Sequence, residues 1–463
     1  MDNWLSNKVE WPSGLRRLIQ VSFEYFDDSS GPQVFLGSNP SSTKHFILFY
    51  FARVRPDIIL SSANCAARVR IDLVPYSSYH SLMTDERRIV IVGGGIIGAS
   101  ITYYLSQRDP VPQVTLLEAT SDLAPGASGK AGGFLALDWH GMTTSSLASL
   151  SYRLHKELAE ANDGANLWGY REVETHQLSL DTSRKPRRTP AIDWLNSDVF
   201  ISSSSIGGNG TTAQVSPGYL TRWLVGEAQK KGVEVRLSTK ATGVRRNAEG
   251  HVTGVEVANA SGTDVIPATD VVIATGPWTG KVLEEWFGPT DIPPYLRNAT
   301  AIEGSRAHSI MIQAAQNHQL SADCFFTEMR YGTSAGAPEV YIRPKGVAYV
   351  CGATDDEPLP EFADQVSFDP KATAKLQVQA SALSPEYLDV KNGADLITEQ
   401  SCYLPLSPRT AAPIIGGSAA DGIFIAAGHA VWGINNSLGT GKVLVELMLD
   451  GKVTSADIRQ LQP

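Results

Sequence analysis

The sequence predicts an α/β fold with an α+β insert: a parallel-sheet domain assembled from discontinuous segments, and an antiparallel-sheet domain placed between them. Three observations lead there. Short, largely apolar runs recur far apart in the chain, at Ile89–Val92, Val114–Leu117, Val271–Ala274 and Ile423–Ala427. Such runs are typical of strands buried on both faces. Glycine-rich turns and helical spacing follow the first and last of them, whereas the stretch from about 298 to 355 reads as strands separated by tight turns.

The elements follow in order. Residues 1–83 have scattered aromatics, no sustained period and repeated breakers (Ser29-Ser-Gly-Pro32, Gly37-Ser-Asn-Pro40), so they are expected to be a disordered extension or an extension upstream of a start at Met83, with a small separate module as the rival reading. From Arg87 the order is strand (Ile89–Val92), glycine turn, helix (Ile96–Gln107) and strand (Val114–Leu117). After Ser216-Pro217 come a helix over Tyr219–Lys230, a strand over Val233–Leu237, hairpin strands near Val252–Val257 and the strand Val271–Ala274. Glu339–Arg343 and Val347–Cys351 flank a Pro344-Lys345-Gly346 turn. The last unit is the strand Ile423–Ala427, a glycine-rich loop and a helix from about Gly439 to Leu449. This order assigns 87–145, 205–285 and 405–455 to the parallel-sheet domain, and 146–204 and 286–404 to the antiparallel one.

Composition narrows the function. Of 463 residues 42% are hydrophobic and 19% charged, as in a globular protein, and the formal charge of −9 argues against a nucleic-acid partner, which needs clustered Lys and Arg. The one dense basic run, Arg184-Lys185-Pro186-Arg187-Arg188, lies among Pro, Ser and Thr and reads as a solvated loop. Cys65, Cys324, Cys351 and Cys402 make no C-x-x-C pair, so neither a disulfide framework nor a metal site is expected. No apolar run approaches the roughly 18 residues of a membrane span, and a cytoplasmic location is expected.

Gly93-Gly94-Gly95-Ile96-Ile97-Gly98 fits G-x-G-x-x-G between a strand and a helix. The first glycine makes the tight turn, the second admits a pyrophosphate to the backbone, and the third lets helix and strand pack closely. The helix N-terminus then offers N–H groups to the phosphates. Glu118, 20 residues past Gly98, ends the second strand, where a carboxylate accepts hydrogen bonds from an adenosine ribose. A second block, Gly126-Ala-Ser128-Gly129-Lys130-Ala-Gly132-Gly133, has side chains small enough for backbone amides to lie against a ligand.

Together these residues resemble the D-amino-acid oxidase/glycine oxidase/sarcosine oxidase superfamily of FAD oxidoreductases, and within it a eukaryotic branch of little-characterised members. The resemblance runs from about Ile89 to the C-terminus, through VIVGGGIIGAS with LLEA, PGASGKAGG, VVIATGPWT, EVYIRPKGVAYVCGATDDEPLP and CYLPLSPRTAAPIIG…GIFIAAGHAVWGINNSLGTGK. It implies a Rossmann-like FAD-binding domain and an antiparallel-sheet substrate domain. It further implies that Gly93, Gly95, Ile96, Ile97 and Gly98 hold the pyrophosphate and Glu118 the ribose. Ser128, Gly129, Gly132, Gly133 and Gly276 would approach the cofactor, and Gly428, Gly433 and Ile434 would pass the flavin ring. A glycine loop feeding a helix there puts N–H donors and a positive dipole end near the flavin N1/C2 carbonyl, which favours the reduced form.

The candidate catalytic residues are His429 in that loop, Trp432 as a cavity wall, and Tyr341 and Arg343, which alternate on a strand that faces the substrate in the family. Arg306 and His308 alternate on another strand and are weighed for the same cavity; Lys345 reads as a solvated turn residue. Cys402 matches the place where sarcosine oxidase relatives carry a covalent thioether to the flavin. The sequence departs from the pattern at Leu404-Pro405, where amino-acid oxidases often carry an arginine that pairs the substrate carboxylate; Arg409 lies farther downstream.

The resemblance thus implies an oxidoreductase acting on the C–N bond of a small amine or amino-acid-like substrate, with hydride passing to flavin N5 and electrons going on to dioxygen or another acceptor. Two alternatives stay open: a hydroxy-acid-type dehydrogenase on the same scaffold, and a flavin-binding protein of regulation or trafficking with weak turnover.

Overall fold

The structure, a computed structural model, describes residues 50–55, 70–75, 87–186, 188–331 and 334–463. The chain divides into two compact units, Met1–Met83 and Thr84–Pro463. In the first, Tyr50–Arg55 pairs antiparallel with Arg70–Pro75; the expectation of a disordered extension falls otherwise on residues outside those described.

The second unit is organised by two sheets. A six-stranded sheet runs in the order Glu234–Arg236, Gln113–Leu117, Arg88–Val92, Asp270–Ile273, Ile423–Ala427, Ile414–Ser418. Its first five strands are parallel, and the last pairs antiparallel with its neighbour. The continuous apolar runs have a direct cause: alternate side chains enter two different cores. Ile89, Ile91, Leu116, Val272 and Phe424 pack under the helices Ile96–Ser106, Met142–Ala161, Pro217–Lys230 and Gly433–Asp450. Val90, Val92, Leu117, Val271 and Ile273 pack the other way, against the three-stranded sheet of 240–267 and the helix Thr279–Phe287. A strand covered on both faces has few polar positions left.

An eight-stranded, mainly antiparallel sheet contains Asp395–Leu406, Glu303–Gln313, Val347–Asp355, Glu339–Arg343, Asp323–Tyr331, Glu174–Asp181 and Phe200–Gly207 in that order, with Ser334–Gly336 attached to Asp323–Tyr331. One face carries Val340, Ile342, Val350 and Phe325 into a core with the helix Pro370–Leu383. The opposite face carries Tyr341 and Tyr349, with Phe134 and Phe326 packed alongside.

Two elements differ from expectation. The C-terminal helix starts at Gly433, not near Gly439. Gly439-Thr-Gly441 reads as loop because glycine is a poor helix former. Here a Cβ on Gly439 would come within 2.9 Å of Ser151 and one on Gly441 within 2.7 Å of the Ser100 backbone, so these glycines let three helices approach closely. The helix Met142–Ala161 has no counterpart in the sequence reading; it buries Leu147, Leu150 and Tyr152 in the same core.

Candidate functional site

A cavity of about 720 Å³ begins at the carboxyl ends of the parallel strands and extends to the aromatic face of the antiparallel sheet. Strand ends beside a change of connection are where open α/β sheets bind ligands. At its first end stands the glycine turn. Gly93 has φ +118, and a Cβ there would meet the Ala274 carbonyl oxygen at 2.4 Å. Gly93, Gly95, Ile96 and Ile97 line the cavity. Gly98 does not; a Cβ on it would lie 2.0 Å from the Gly93 carbonyl oxygen, so its part is helix–turn packing.

Glu118 lies beside this turn, 8% exposed. Its Oε2 accepts from the Gly94 amide at 2.9 Å, and its Oε1 from the Thr120 amide at 2.9 Å and hydroxyl at 3.0 Å. Burial raises its pKa, and these donors oppose the rise. The Ser128 hydroxyl accepts from the Ile96 amide at 2.8 Å, which ties the second glycine block to the start of the first helix. Ser128, Gly132 and Gly133 line the cavity. Gly129 does not, because its Cα faces the Ala124 carbonyl oxygen, 2.2 Å from where a Cβ would stand. Gly276, at φ +54 with open space around its Cβ position, borders the cavity from the third strand.

Gly428, Gly433 and Ile434 also line the cavity. The helix Gly433–Asp450 therefore starts at the ligand space, and its first-turn amides have no carbonyl partners within the helix. Asn435 Oδ1 accepts from the Ala136 amide at 3.0 Å, and the His155 ring bonds the Ile434 carbonyl at 3.0 Å, so the N-terminus is held from two sides.

The other end is aromatic. Phe134 lies parallel to Tyr341 (centroids 5.8 Å apart, 15° between planes), and contacts Trp139 at 5.1 Å and Phe326 at 5.4 Å. Tyr341 stacks on Tyr349 at 5.9 Å across the strand pair. The Tyr341 hydroxyl donates to Glu339, a half-buried carboxylate that also lines the cavity. Gly132 sits directly against this wall, since a Cβ on it would fall 2.3 Å from Tyr341 Cε2. Trp432 borders the cavity with its ring 4.2 Å from that of His140.

Several expected residues are placed differently. Arg343 is not in the lining: its guanidinium donates to the Ala131 carbonyl at 2.9 Å and lies 4.9 Å over the Tyr349 ring. It braces the second glycine block from behind. Arg306 is outside too, held by Asp355 through two bonds of 2.8 Å. Its strand neighbour but one, His308, reaches the cavity, but one ring nitrogen faces the Ala353 carbonyl at 2.7 Å and the other accepts from the Asp369 amide at 2.9 Å. Arg409 is exposed and donates to the Arg297 carbonyl at 2.6 Å, so it does not replace the arginine absent at Leu404. Lys345 is an exposed turn residue at φ +66.

His429 borders the cavity, 3% exposed, with Nε2 at 3.1 Å from the Thr440 hydroxyl. Burial lowers its pKa to about 3, so it is neutral and fixes the loop to the helix. Cys402 lines the cavity as a buried thiol whose pKa burial pushes up to about 11, opposed by Lys130; the thiolate that a thioether to the flavin needs is disfavoured.

Sequence reasoning missed Glu339, Trp139, Phe326 and Tyr349. For Glu339 a signal was present: in a strand it shares the face of Tyr341, two residues on. Nothing local marks the other three, which arrive from separate strands and a loop.

Among the described residues no helix is long and apolar enough to cross a membrane. The model of the FAD dependent oxidoreductase family, DAO, matches residues 88–447. A protein of Schizosaccharomyces pombe named only as an oxidoreductase is 37% identical over 401 residues, covering 82% of this chain and 99% of its own. TDA3 of Saccharomyces cerevisiae, likewise named as an oxidoreductase, is 27% identical and covers 84% and 97%. The crystal structure of glycine oxidase from Bacillus cereus has the same fold, with a TM-score of 0.63, 19% identity and coverage of 82% and 99%.

Proposed function

Since the chain belongs to the DAO family and is an FAD-dependent oxidoreductase, we propose that it oxidises the C–N bond of a small amine or amino-acid-like substrate. The observation that carries this reading is a continuous cavity joining the dinucleotide turn to an apolar, aromatic-walled end on the second sheet. The name of the B. cereus glycine oxidase, which shares the fold, gives an enzyme of this reaction type.

The residues present fit FAD. Around the first turn the glycine Cα atoms leave the backbone open to a pyrophosphate, with open space at Gly276 and only the Ser128 hydroxyl near Gly95. Gly93, Gly95, Ile96 and Ile97 would hold the pyrophosphate with first-turn amides, and the Ser128 hydroxyl, already accepting from Ile96, keeps its proton free to donate to a phosphate oxygen. Glu118 would hold the ribose hydroxyls while it keeps the Gly94 amide in place. Bound there, FAD supplies the two-electron acceptor for the substrate carbon beside nitrogen.

The chain's own contribution is positioning, water exclusion and electrostatics. The N-terminus of Gly433–Asp450 directs unpaired amides and a positive dipole end into the cavity, where developing negative charge is stabilised. Phe134, Phe326 and Tyr341 give the substrate an apolar wall that excludes water and aligns its reacting C–H. His429 is no proton carrier in this scheme: it is buried, neutral and bonded to Thr440. The amine therefore sheds its proton before the C–H bond breaks, without a dedicated histidine base.

The test is anaerobic mixing of the purified yellow protein with amines, amino acids and hydroxy acids. Bleaching of the flavin absorbance by an amine or amino acid is the expected result. Bleaching by hydroxy acids alone would replace this reading with the alcohol-oxidising one.

A further inference from the structure

We propose that the aromatic wall and Glu339 form a subsite for an alkylammonium group, so that the substrate is an amine carrying no carboxylate. The proposal rests on the C–N oxidation reading above and narrows it to one chemical class.

The charges around the cavity lead to this. Among the described residues no arginine lines it. Of the lysines that line it, Lys240 belongs to the Glu118 end: it directly follows Thr239, whose amide bonds the Glu118 carbonyl, and it pairs with Glu361 at 3.3 Å and Glu285 at 3.6 Å. Lys281 donates to the Leu359 carbonyl at 2.7 Å. The three arginines that sequence position makes eligible are committed elsewhere, Arg343 to Ala131, Arg306 to Asp355 and Arg409 to Arg297. Leu404, at the arginine position of carboxylate-binding relatives, is itself in the lining.

At the aromatic end the charged side chain is an acid. Glu339 is held by the Tyr341 hydroxyl and lies two residues along the same strand face. Beside it Phe134, Trp139, Phe326 and Tyr341 form a continuous surface of rings 5.1 to 6.1 Å apart. The negative faces of such rings attract a cation, and alkylated ammonium groups are their usual ligands because their charge is weakly hydrated. An adjacent carboxylate adds a direct ion pair of low exposure. An amino acid would instead bring its own carboxylate beside Glu339 and the ring faces, and Lys130, the lysine that acts on Cys402, is not in the lining. Only the backbone amides at 433–434 remain, and those are assigned to the cofactor above. Burying an uncompensated carboxylate is strongly unfavourable.

The experiment measures binding to the FAD-loaded full chain, anaerobically and by calorimetry, for three probes of one shape: choline, its neutral isostere neohexyl alcohol, and the anion tert-butylacetate. Choline is expected to bind about tenfold or more tighter than either of the others. Glu339→Gln, nearly isosteric, should weaken choline about tenfold while leaving the alcohol unchanged. Phe326→Leu should reduce the cation preference by a smaller factor, and matched melting temperatures check that both variants fold. Equal binding of choline and the alcohol, tighter binding of the anion, absence of binding by any probe, or a cation preference untouched by Glu339→Gln would each overturn the proposal. Absence of flavin colour in the isolated protein would instead overturn the oxidation reading, and calorimetry would still report the charge preference.

Discussion

The two ends of the cavity are built on opposite plans. At the first end the ligand space is made by backbone and by missing side chains: Gly93, Gly95 and Gly276, the start of the helix Ile96–Ser106, and one carboxylate, Glu118, tied to the Gly94 amide. At the other end it is made by large side chains from Asp323–Tyr331, Glu339–Arg343 and Val347–Asp355, joined by Phe134 and Trp139. The first plan depends on conformations and close approaches that a single Cβ destroys. The second depends on which rings and charges face inward, and tolerates change in shape more readily than change in charge.

The largest effect is expected within the glycine motif. Gly98→Val places a side chain where the Gly93 carbonyl stands 2.0 Å away, so it should cost about 3 kcal/mol or more and give misfolded, colourless protein, checked by circular dichroism and yield. Gly95→Val meets only the Ser128 hydroxyl at 3.1 Å. It should remain folded and lose flavin, seen as colourless protein with a retained cooperative melt. If both variants behaved alike, the division between packing and ligand-facing glycines would be wrong.

The pH dependence of stability should report the buried histidine of the loop between Ile423–Ala427 and the last helix. The His429 pKa falls from the usual 6.5 to about 3 on burial. Between those values the unfolded chain binds the proton and the folded chain does not, so the contribution is complete above about pH 6.5 and is lost as pH falls towards 3. By pH 4 the loss should reach about 3 kcal/mol. His429→Asn should flatten part of that slope in denaturant melts at pH 7 and pH 4. An unchanged slope would mean that the ring is not buried neutral.

Where the two plans touch, Gly132 faces the Tyr341 ring. Gly132→Ala puts a Cβ 2.3 Å from Cε2, and should cost about 1–3 kcal/mol while displacing the ring. Its melting temperature should fall, and ligand-induced changes in the flavin spectrum should fall with it. The smallest effect is expected at Cys402. With its thiol pKa near 11 it should form no bond to flavin. Acid-denatured protein should then release free flavin, leave an unmodified polypeptide mass, and behave the same in Cys402→Ala. Colour that stays with the polypeptide and disappears in the variant would show the opposite.

How much was legible follows from how local each feature is. The glycine turn, Glu118 and the second glycine block are contiguous motifs, and the strands beside them are apolar throughout because both faces are covered; their placement needed no distant information. The start of the last helix at Gly433 was not legible, since Gly439 and Gly441 suit a helix only when Ser151 and Ser100 press against it. Arg343 shows the same limit from the other side. Strand alternation sets it on the face of Tyr341, yet its length carries the guanidinium past the cavity to the Ala131 carbonyl.

The family and its FAD cofactor are written in the chain locally, because glycines, apolar strands and a strand-end acid impose conformation within a few residues of themselves. The charge at the aromatic end of the cavity rests on tertiary packing. It depends on which side chains from widely separated strands find partners outside the cavity, as Arg306, Arg343 and Arg409 do, and which, like Glu339, border it. Pairing of that kind is settled by packing across hundreds of residues, and no local pattern records it.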